Sequence, residues 1–585
     1  MKIFFKSFLA SLLALFVFSV IGFFVLIGIA AAFSKEEPKV VPNNAVLVID
    51  LATSFPEQAK SDPLSEIMNK KKGKTPNLSE LVQLIQHAAE DENIKGIYLK
   101  CHQNPNGYGA SEEIVKALMA FKKSKKFILA YGETITQKGY MIASIADAVY
   151  THPQGGLEWN GFSYETIFLK GLLDKLEIQP QIFYAGKFKS ATEPFRLTAM
   201  SDANKLQTRV WLGGIYHQFL SSVAHSRSLD VDSIMNIANE GKVQTAFDAQ
   251  KYHLVDALLY DDQFKKIVAK KLHESDEQKI AFVGINDYAS AVALRGTGPG
   301  KIAIVYADGD IVMGKDQQGS VASDDFRSIL QKIKHDASIK AVVLRVNSPG
   351  GSSLASDIIW RELDVLKKEK PVVVSMGDLA ASGGYYISCG ADSIFANAGT
   401  ITGSIGVFSV IPNVQGLMKN KLGVTVDGVK TGQYADMATA TRPLNTMEQK
   451  FMQAGVDSIY FTFKSRVAQG RKKSLEYVDS IAQGRVWTGE DAIKIGLVDR
   501  IGTLEDAIRS AAKMAHLKGY GIKSYPENKS FIENLLGNYE DEVKATAISK
   551  EIGTDQWKIL QQMKSVRQML GQPQARMPIF VTNHP

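Results

Sequence analysis

Two seven-residue stretches decide how this chain is built: Ile94-Lys95-Gly96-Ile97-Tyr98-Leu99-Lys100 and Ile339-Lys340-Ala341-Val342-Val343-Leu344-Arg345. They lie 245 positions apart (339 less 94). The same offset sets Gly132 on Gly377, Gly139-Tyr140 on Gly384-Tyr385, Ala146-Asp147 on Ala391-Asp392 and Gly171-Leu172 on Gly416-Leu417. It then drifts slightly, so that Leu254-Val255-Asp256 falls on Leu497-Val498-Asp499. Chance identity does not hold one register for so long, and an internal duplication is predicted. Within each copy short apolar runs alternate with helical spacing. Val372-Val373-Val374 reads as a buried strand, and Ser356–Lys367 places Ile358, Ile359, Leu363 and Leu366 at helical intervals. Alternating β and α predicts an α/β fold, helices on a largely parallel sheet, made twice.

Working outward, strand Ala45–Ile49 opens the first copy, and strand Ile302–Tyr306 opens the second after the Gly/Pro linker Gly296–Gly300. The predicted units are an anchor and linker over 1–40, a first module over 45–295, a second over 301–525, and an extension over 526–585. The extension reads as helical or tail-like. From Ser7 to Ser34 no residue is charged. Such a run crosses a bilayer core of ~30 Å, which needs about 20 helical residues. Lys2 and Lys6 precede it, while Lys35, Glu36, Glu37 and Lys39 cancel after it. The expectation is a single-pass anchor with its short N-terminus in the cytoplasm and the rest outside. A cleaved signal peptide is the rival, with Ala30-Ala31-Ala32 as its small residues, but the apolar run exceeds the usual span of about 7–15.

Composition excludes several classes. Hydrophobic residues make up 45% and charged ones 22%, which is ordinary for globular protein and excludes wholesale disorder. The net charge of +7 has no dense basic tract, so no nucleic-acid partner is expected. Two cysteines, Cys101 and Cys389, exclude a disulfide scaffold and a Cys-rich zinc site. There is no His-Glu-x-x-His, and no cofactor or metal is expected.

Four segments can carry chemistry. Asn347-Ser348-Pro349-Gly350-Gly351-Ser352 and Ala380-Ala381-Ser382-Gly383-Gly384 both follow strands. Glycines there let backbone N–H groups approach a ligand and hold an oxyanion, although either loop could be only a tight turn. Thr402-Gly403-Ser404-Ile405-Gly406 could expose a serine hydroxyl on a sharp turn. It is not the G-x-S-x-G elbow, because Thr402 holds the first Gly position. Gly186-Lys187-Phe188-Lys189-Ser190 holds two lysines that would ordinarily be solvated. The repeat changes these readings. Ser404 corresponds to Trp159, Lys189 to Ala435 at offset 246, and Pro349-Gly350-Gly351 to Asn104-Pro105-Asn106. Each copy lacks what the other has, so a single site shared by both is expected.

In that site Lys189 would act as the base for Ser404. An ordinary lysine, pKa ~10.4, is neutral in only about one molecule in 2,500 at pH 7. To accept a proton it must lose the water that stabilises its charge, at a cost on the order of 4 kcal/mol, and an apolar interface can impose that. The competing base, a histidine, is absent from residues 336–515, leaving His102 and His152 of the first copy open.

Together Arg345–Gly351, Ala380–Tyr385, Ile401–Gly406, Gly186–Phe195, Val486–Gly489 and Gly496–Asp499 resemble the signal peptide peptidase A family in its long tandem form. The resemblance covers about residues 45–525 and the anchor. It implies a Clp-protease/crotonase-like fold in each module. It also implies a bacterial inner-membrane protease facing the periplasm, a homotetramer that degrades apolar signal peptides after their release. It maps the nucleophile onto Ser404, the general base onto Lys189, and the oxyanion-binding N–H groups onto Gly350 and Gly351, with Ser404 or its neighbour Ile405. Two rival readings stand beside it: a crotonase-type acyl-CoA enzyme, which normally uses carboxylates, and a membrane scaffold with vestigial modules.

Overall fold

A computed structural model describes residues 2–33, 40–58, 75–292, 294, 298, 300–316, 319–437, 439–527 and 573–577. The two quoted stretches are both inner strands, Ile94–Lys100 and Ile339–Ser348. Their unbroken apolar character follows from burial on both faces. In the second, Val342, Leu344 and Val346 enter one core while Ala341 and Val343 enter another. In the first, Ile97 and Leu99 face one way and Tyr98 the other.

Each copy builds its own parallel sheet. The first runs 257–258, 148–157, 127–135, 94–100, 45–50, 281–284. The second repeats that order as 500–501, 393–396, 372–381, 339–348, 300–308, 520–525. The long strand Val372–Ala381 takes a further partner along its far half, Ile401–Gly403. The helix expected over Ser356–Lys367 starts slightly earlier, at Ser353, where the Ser352 side chain accepts the Ala355 N–H and caps it.

The residues shared by the two copies make matching bonds. Asp147 accepts the N–H of Ile128 at 2.8 Å, and Asp392 that of Val372 at 2.9 Å. Asp256 accepts from Val149 at 2.7 Å, and Asp499 from Ile394 at 2.8 Å. The hydroxyls of Tyr140 and Tyr385 donate to the carbonyls of Leu254 and Leu497. The repeated residues therefore pin helices and loops to the sheet edges in both modules.

A third, mixed sheet joins the modules: 321–322, 311–312, 350–352, 574–576, 407–413, 179–185. Its last pair is antiparallel, Gln179–Ala185 of the first module against Val407–Asn413 of the second over seven residue pairs. Phe183 and Ala185 thereby enter the second module's core. On the other side of the interface Arg345 is wholly buried. It is bonded twice to Glu57 at 2.8 Å and also lies 2.8 Å from Glu113. Burial works against the guanidinium's charge, but Glu113 and Glu57 outweigh it and raise its pKa.

One expectation is revised. Within the extension expected over 526–585, residues 528–572 and 578–585 lie outside the described residues, but Gln574–Arg576 is a strand inside the joining sheet, not part of a helix. The N-terminal run is helical, Lys2–Phe33, yet among the described residues no helix is long and apolar enough to cross a membrane. The linker positions 34–39, 295–297 and 299 lie outside the described residues. Cys101 and Cys389 are free and buried.

Arg345→Ala leaves two carboxylates buried without their cation. The expected loss is about 3–5 kcal/mol of stability, read as a lowered urea midpoint in equilibrium unfolding.

Candidate active site

Lys189 reaches the second module because strand Gln179–Ala185 delivers it there. After Ala185 the chain turns at Gly186, which has φ +112. Phe188 N–H donates to the Gln483 carbonyl at 2.7 Å. Gly484 then closes on the lysine: a Cβ at that position would lie 2.7 Å from both Lys189 Cβ and its backbone N. Gln207 supports the turn, donating to the Phe188 carbonyl at 3.0 Å and to Ser190 Oγ at 3.1 Å. Lys189 is 1% exposed, and burial alone lowers its amine's pKa well below the ordinary lysine value.

Its Nζ has three contacts: Ser404 Oγ at 3.1 Å, Ser382 Oγ at 2.9 Å and the Ser404 carbonyl at 3.2 Å. Among the described residues no carboxylate pairs with it. The nearest acid in sequence, Glu193, is taken by Ser201 and Asn204. Two N–H groups and one lone pair are what a neutral amine offers. Donation to Ser382 Oγ and the Ser404 carbonyl leaves the lone pair for the Ser404 hydroxyl proton. The Ser382 hydroxyl lies 3.5 Å from the Gly406 carbonyl, an outlet for its own proton.

Ser404 follows strand Ile401–Gly403 and sits at φ +51; Ser382 follows Val372–Ala381 at φ +55. Positive φ is uncommon outside glycine and costs on the order of 1–3 kcal/mol when enforced. Both strained serines point at the same amine. A base of this kind needs a partner that orients it. Ser382 occupies that position, and the only signal for it was a small hydroxyl residue between a strand and two glycines.

The three expected oxyanion donors are placed differently. The Gly350 N–H donates inside its own turn, to Ser348 Oγ at 3.1 Å. Gly351 lies in a strand, opposite Ala575. Ile405 is buried, and its carbonyl takes the Gly484 N–H at 2.8 Å. The neighbouring Ser404 N–H is spent on the Arg485 carbonyl at 2.7 Å and offers nothing to a ligand.

The first copy's equivalents are closed. Trp159, at the place of Ser404, is buried and donates to the Ile234 carbonyl at 2.8 Å. Asn104 and Asn106 bond to each other, to Ser111 and to the Thr53 carbonyl, so side chains fill the first copy's counterpart of the Gly350-Gly351 turn. His102 accepts the Glu133 N–H and His152 packs edge-on to Tyr260, so neither turns to Ser404.

With that geometry in view, the model of "Peptidase family S49" matches residues 120–275 and 364–518, one segment in each module. The chain belongs to peptidase family S49. Lys189 falls in the first matched segment and Ser404 in the second. This S49 chain is 37% identical to "Protease 4" of Salmonella typhi, over 80% of this chain and 77% of that one. It is 34% identical to "Protease 4" of Haemophilus influenzae, over 88% of each. It is 31% identical to "Serine protease SPPA, chloroplastic" of Arabidopsis thaliana, over 82% and 70%. The chain is thus a serine protease, and its substrates are peptides. A solved structure, a point mutant of ClpP1 from Listeria monocytogenes, aligns with 35% of this chain and 94% of its own at a TM-score of 0.24 and 15% identity, too low to bear on the fold.

The buried amine carries a stability signature. Unfolded, Lys189 holds its proton up to pH ~10.4; folded, it releases it at lower pH. Between those values the unfolded state binds more protons, so stability rises with pH. Lys189→Met is therefore expected to be more stable than the parent at pH 7, with the gap closing toward pH 10, in parallel urea titrations.

Proposed function

We propose that this S49 protease cuts peptides with Ser404 as nucleophile and Lys189 as general base. The supporting observation is the 3.1 Å approach of a buried, carboxylate-free Lys189 Nζ to Ser404 Oγ. Ser404 Oγ attacks the peptide carbonyl as its proton moves to Nζ. Nζ then hands that proton to the departing amine, and the peptide C–N bond breaks. Water, activated by the same amine, releases the acyl group from Ser404. Ser382 keeps Nζ aimed throughout. The oxyanion would be held by backbone N–H groups of the glycine turns, with Gly351 the principal donor, since Gly350 and Ser404 spend theirs internally.

The same reading makes each module a Clp-protease/crotonase-type unit. It also makes Lys2–Phe33 a single-pass anchor in a bacterial inner membrane, with both modules on the periplasmic side. The uncharged run Ser7–Ser34 supports the anchor, together with Phe8, Leu12, Leu15 and Phe18, which project outward from the helix. A helix of 32 residues is about 48 Å long. Leu422, Val424, Val426 and Val429 are exposed on one short segment, apolar surface that a homotetramer would cover. Such a protease, anchored beside the site where secreted proteins shed their leaders, is suited to degrading apolar signal peptides.

A serine-directed phosphonate is expected to label Ser404. Ser404→Ala should abolish labelling, and Lys189→Ala should cut both labelling and peptide hydrolysis by roughly a thousandfold or more. Undiminished labelling in Ser404→Ala sinks the assignment. For the parent, log kcat/KM should climb with pH as Lys189 loses its proton and level off well short of pH 10.5. That limb should be absent from the residual rate of Lys189→Ala. For the anchor, deleting residues 2–33 should move the protease from the carbonate-washed membrane pellet to the supernatant.

A further inference from the structure

The strand Gln574–Arg576 lies between the two strands that frame the site. Gly350, Gly351 and Ser352 pair antiparallel with Arg576, Ala575 and Gln574, and Phe408 pairs with Gln574 on the other side. The pairing continues beyond the strand. The Pro573 carbonyl accepts the Ser353 N–H at 3.3 Å and its hydroxyl at 3.1 Å, and Met577 N–H donates to the Pro349 carbonyl at 2.9 Å. Gln574, Ala575, Arg576 and Met577 are all buried. Adding a strand to an open edge is a general way of holding an extended peptide, with backbone bonds giving affinity and side-chain pockets giving selectivity.

The register is informative. The glycine turns close on one oxygen, the carbonyl of Ala575: a Cβ would stand 2.1 Å from it at Gly350 and 3.0 Å from it at Gly383. Gly383 directly follows Ser382, whose hydroxyl touches Lys189 Nζ. That oxygen therefore lies between the Gly350 turn and the residue next to Ser382, and the peptide bond that carries it is Ala575–Arg576. The flanking side chains are held in kind. Arg576 reaches Asp310 at 2.8 Å, and Met577 packs with Ala381 and Val486 against Trp211, Leu379 and Ile401.

We propose that the C-terminal segment Pro573–Met577 is a substrate of this protease's own cleft, cut between Ala575 and Arg576. Asp310 selects the positive charge directly after the cut. This rests on the roles assigned to Ser404 and Lys189. Ser404 Oγ bonds to the Ala575 carbonyl carbon, and the C–N bond to Arg576 breaks. The Ser404 proton passes through Lys189 Nζ to the Arg576 nitrogen. Water then frees Ser404, leaving a chain that ends at Ala575 and a released peptide that begins with Arg576.

Intact-mass spectrometry of the full chain in membranes tests it, with hydrolysis of an unrelated apolar peptide and phosphonate labelling measured on the same samples. The expected result is a parent chain shortened to Ala575 and a Ser404→Ala chain of full length. Arg576→Glu, which sets a carboxylate against Asp310, should slow the shortening at least tenfold. A parent that hydrolyses the external peptide and is labelled at Ser404 but keeps its full mass overturns the proposal and leaves the proposed function standing. Cutting elsewhere, equal shortening of Ser404→Ala, or an unaltered rate in Arg576→Glu also overturns it. A parent that neither shortens nor hydrolyses nor labels removes the proposed function and this inference with it.

Discussion

The antiparallel pairing of Gln179–Ala185 with Val407–Asn413 is the constraint on which the site depends. It brings a lysine from one module to a serine of the other and removes water from between them. Burial of an amine without a counter-ion is unfavourable, so other contacts must offset it. The strand pair supplies them locally. Phe183, Val407, Phe408 and Ile411 are buried along it, and a fully buried apolar side chain of this size contributes about 1.5–3 kcal/mol. The glycines at 186, 406 and 484 bring the backbones close enough to exclude solvent. A Cβ at Gly406 would lie 2.9 Å from Gly484 Cα.

The two modules separate stability from chemistry. Where their sequences agree, the bonds are structural: an aspartate on a strand N–H, a tyrosine on a loop carbonyl, an arginine on an aspartate. Arg227 pairs with Asp256, and Arg471 with Asp499. Where they disagree lie Lys189, Ser404 and the glycine turn. The first copy has filled its own version of the site with an indole and a closed asparagine network. A duplicated module with two complete sites would need both sets of constraints; here one shared site releases each copy from half of them.

The repeat, the parallel sheets and the nomination of Lys189 and Ser404 were legible because they depend on local pattern and on comparison within one chain. Ile97-Tyr98-Leu99 and Ala341–Leu344 announce strands buried on both faces whatever surrounds them. The orienting role of Ser382 was not legible, since its hydroxyl acquires meaning only when a strand from 193 positions away ends beside it. The donor pattern was equally hidden. The N–H of Ser404 is consumed by Arg485, and that of Gly350 by Ser348, because of where two loops meet and not because of residue type. The strand at Gln574–Arg576 has too few residues to show alternation, and it exists only because two edges from distant segments flank it.

Two buried basic side chains of the interface, Arg345 and Lys189, are treated oppositely. Arg345 is given Glu57 and Glu113, with Asn397 Nδ2 donating to Glu113 at 3.1 Å. Glu112 and Asp378 lie nearby, both with raised carboxyl pKa values, mainly from burial. Lys189 receives only hydroxyl and carbonyl oxygens. The distribution decides the chemistry, because a carboxylate near Nζ would hold the proton on the amine and leave no lone pair for Ser404. Sequestering the acids on the Arg345 side therefore does two things at once. It ties the modules together through a charge that stays on, and it keeps the other end of the same interface free of the negative charge that would keep Lys189 protonated.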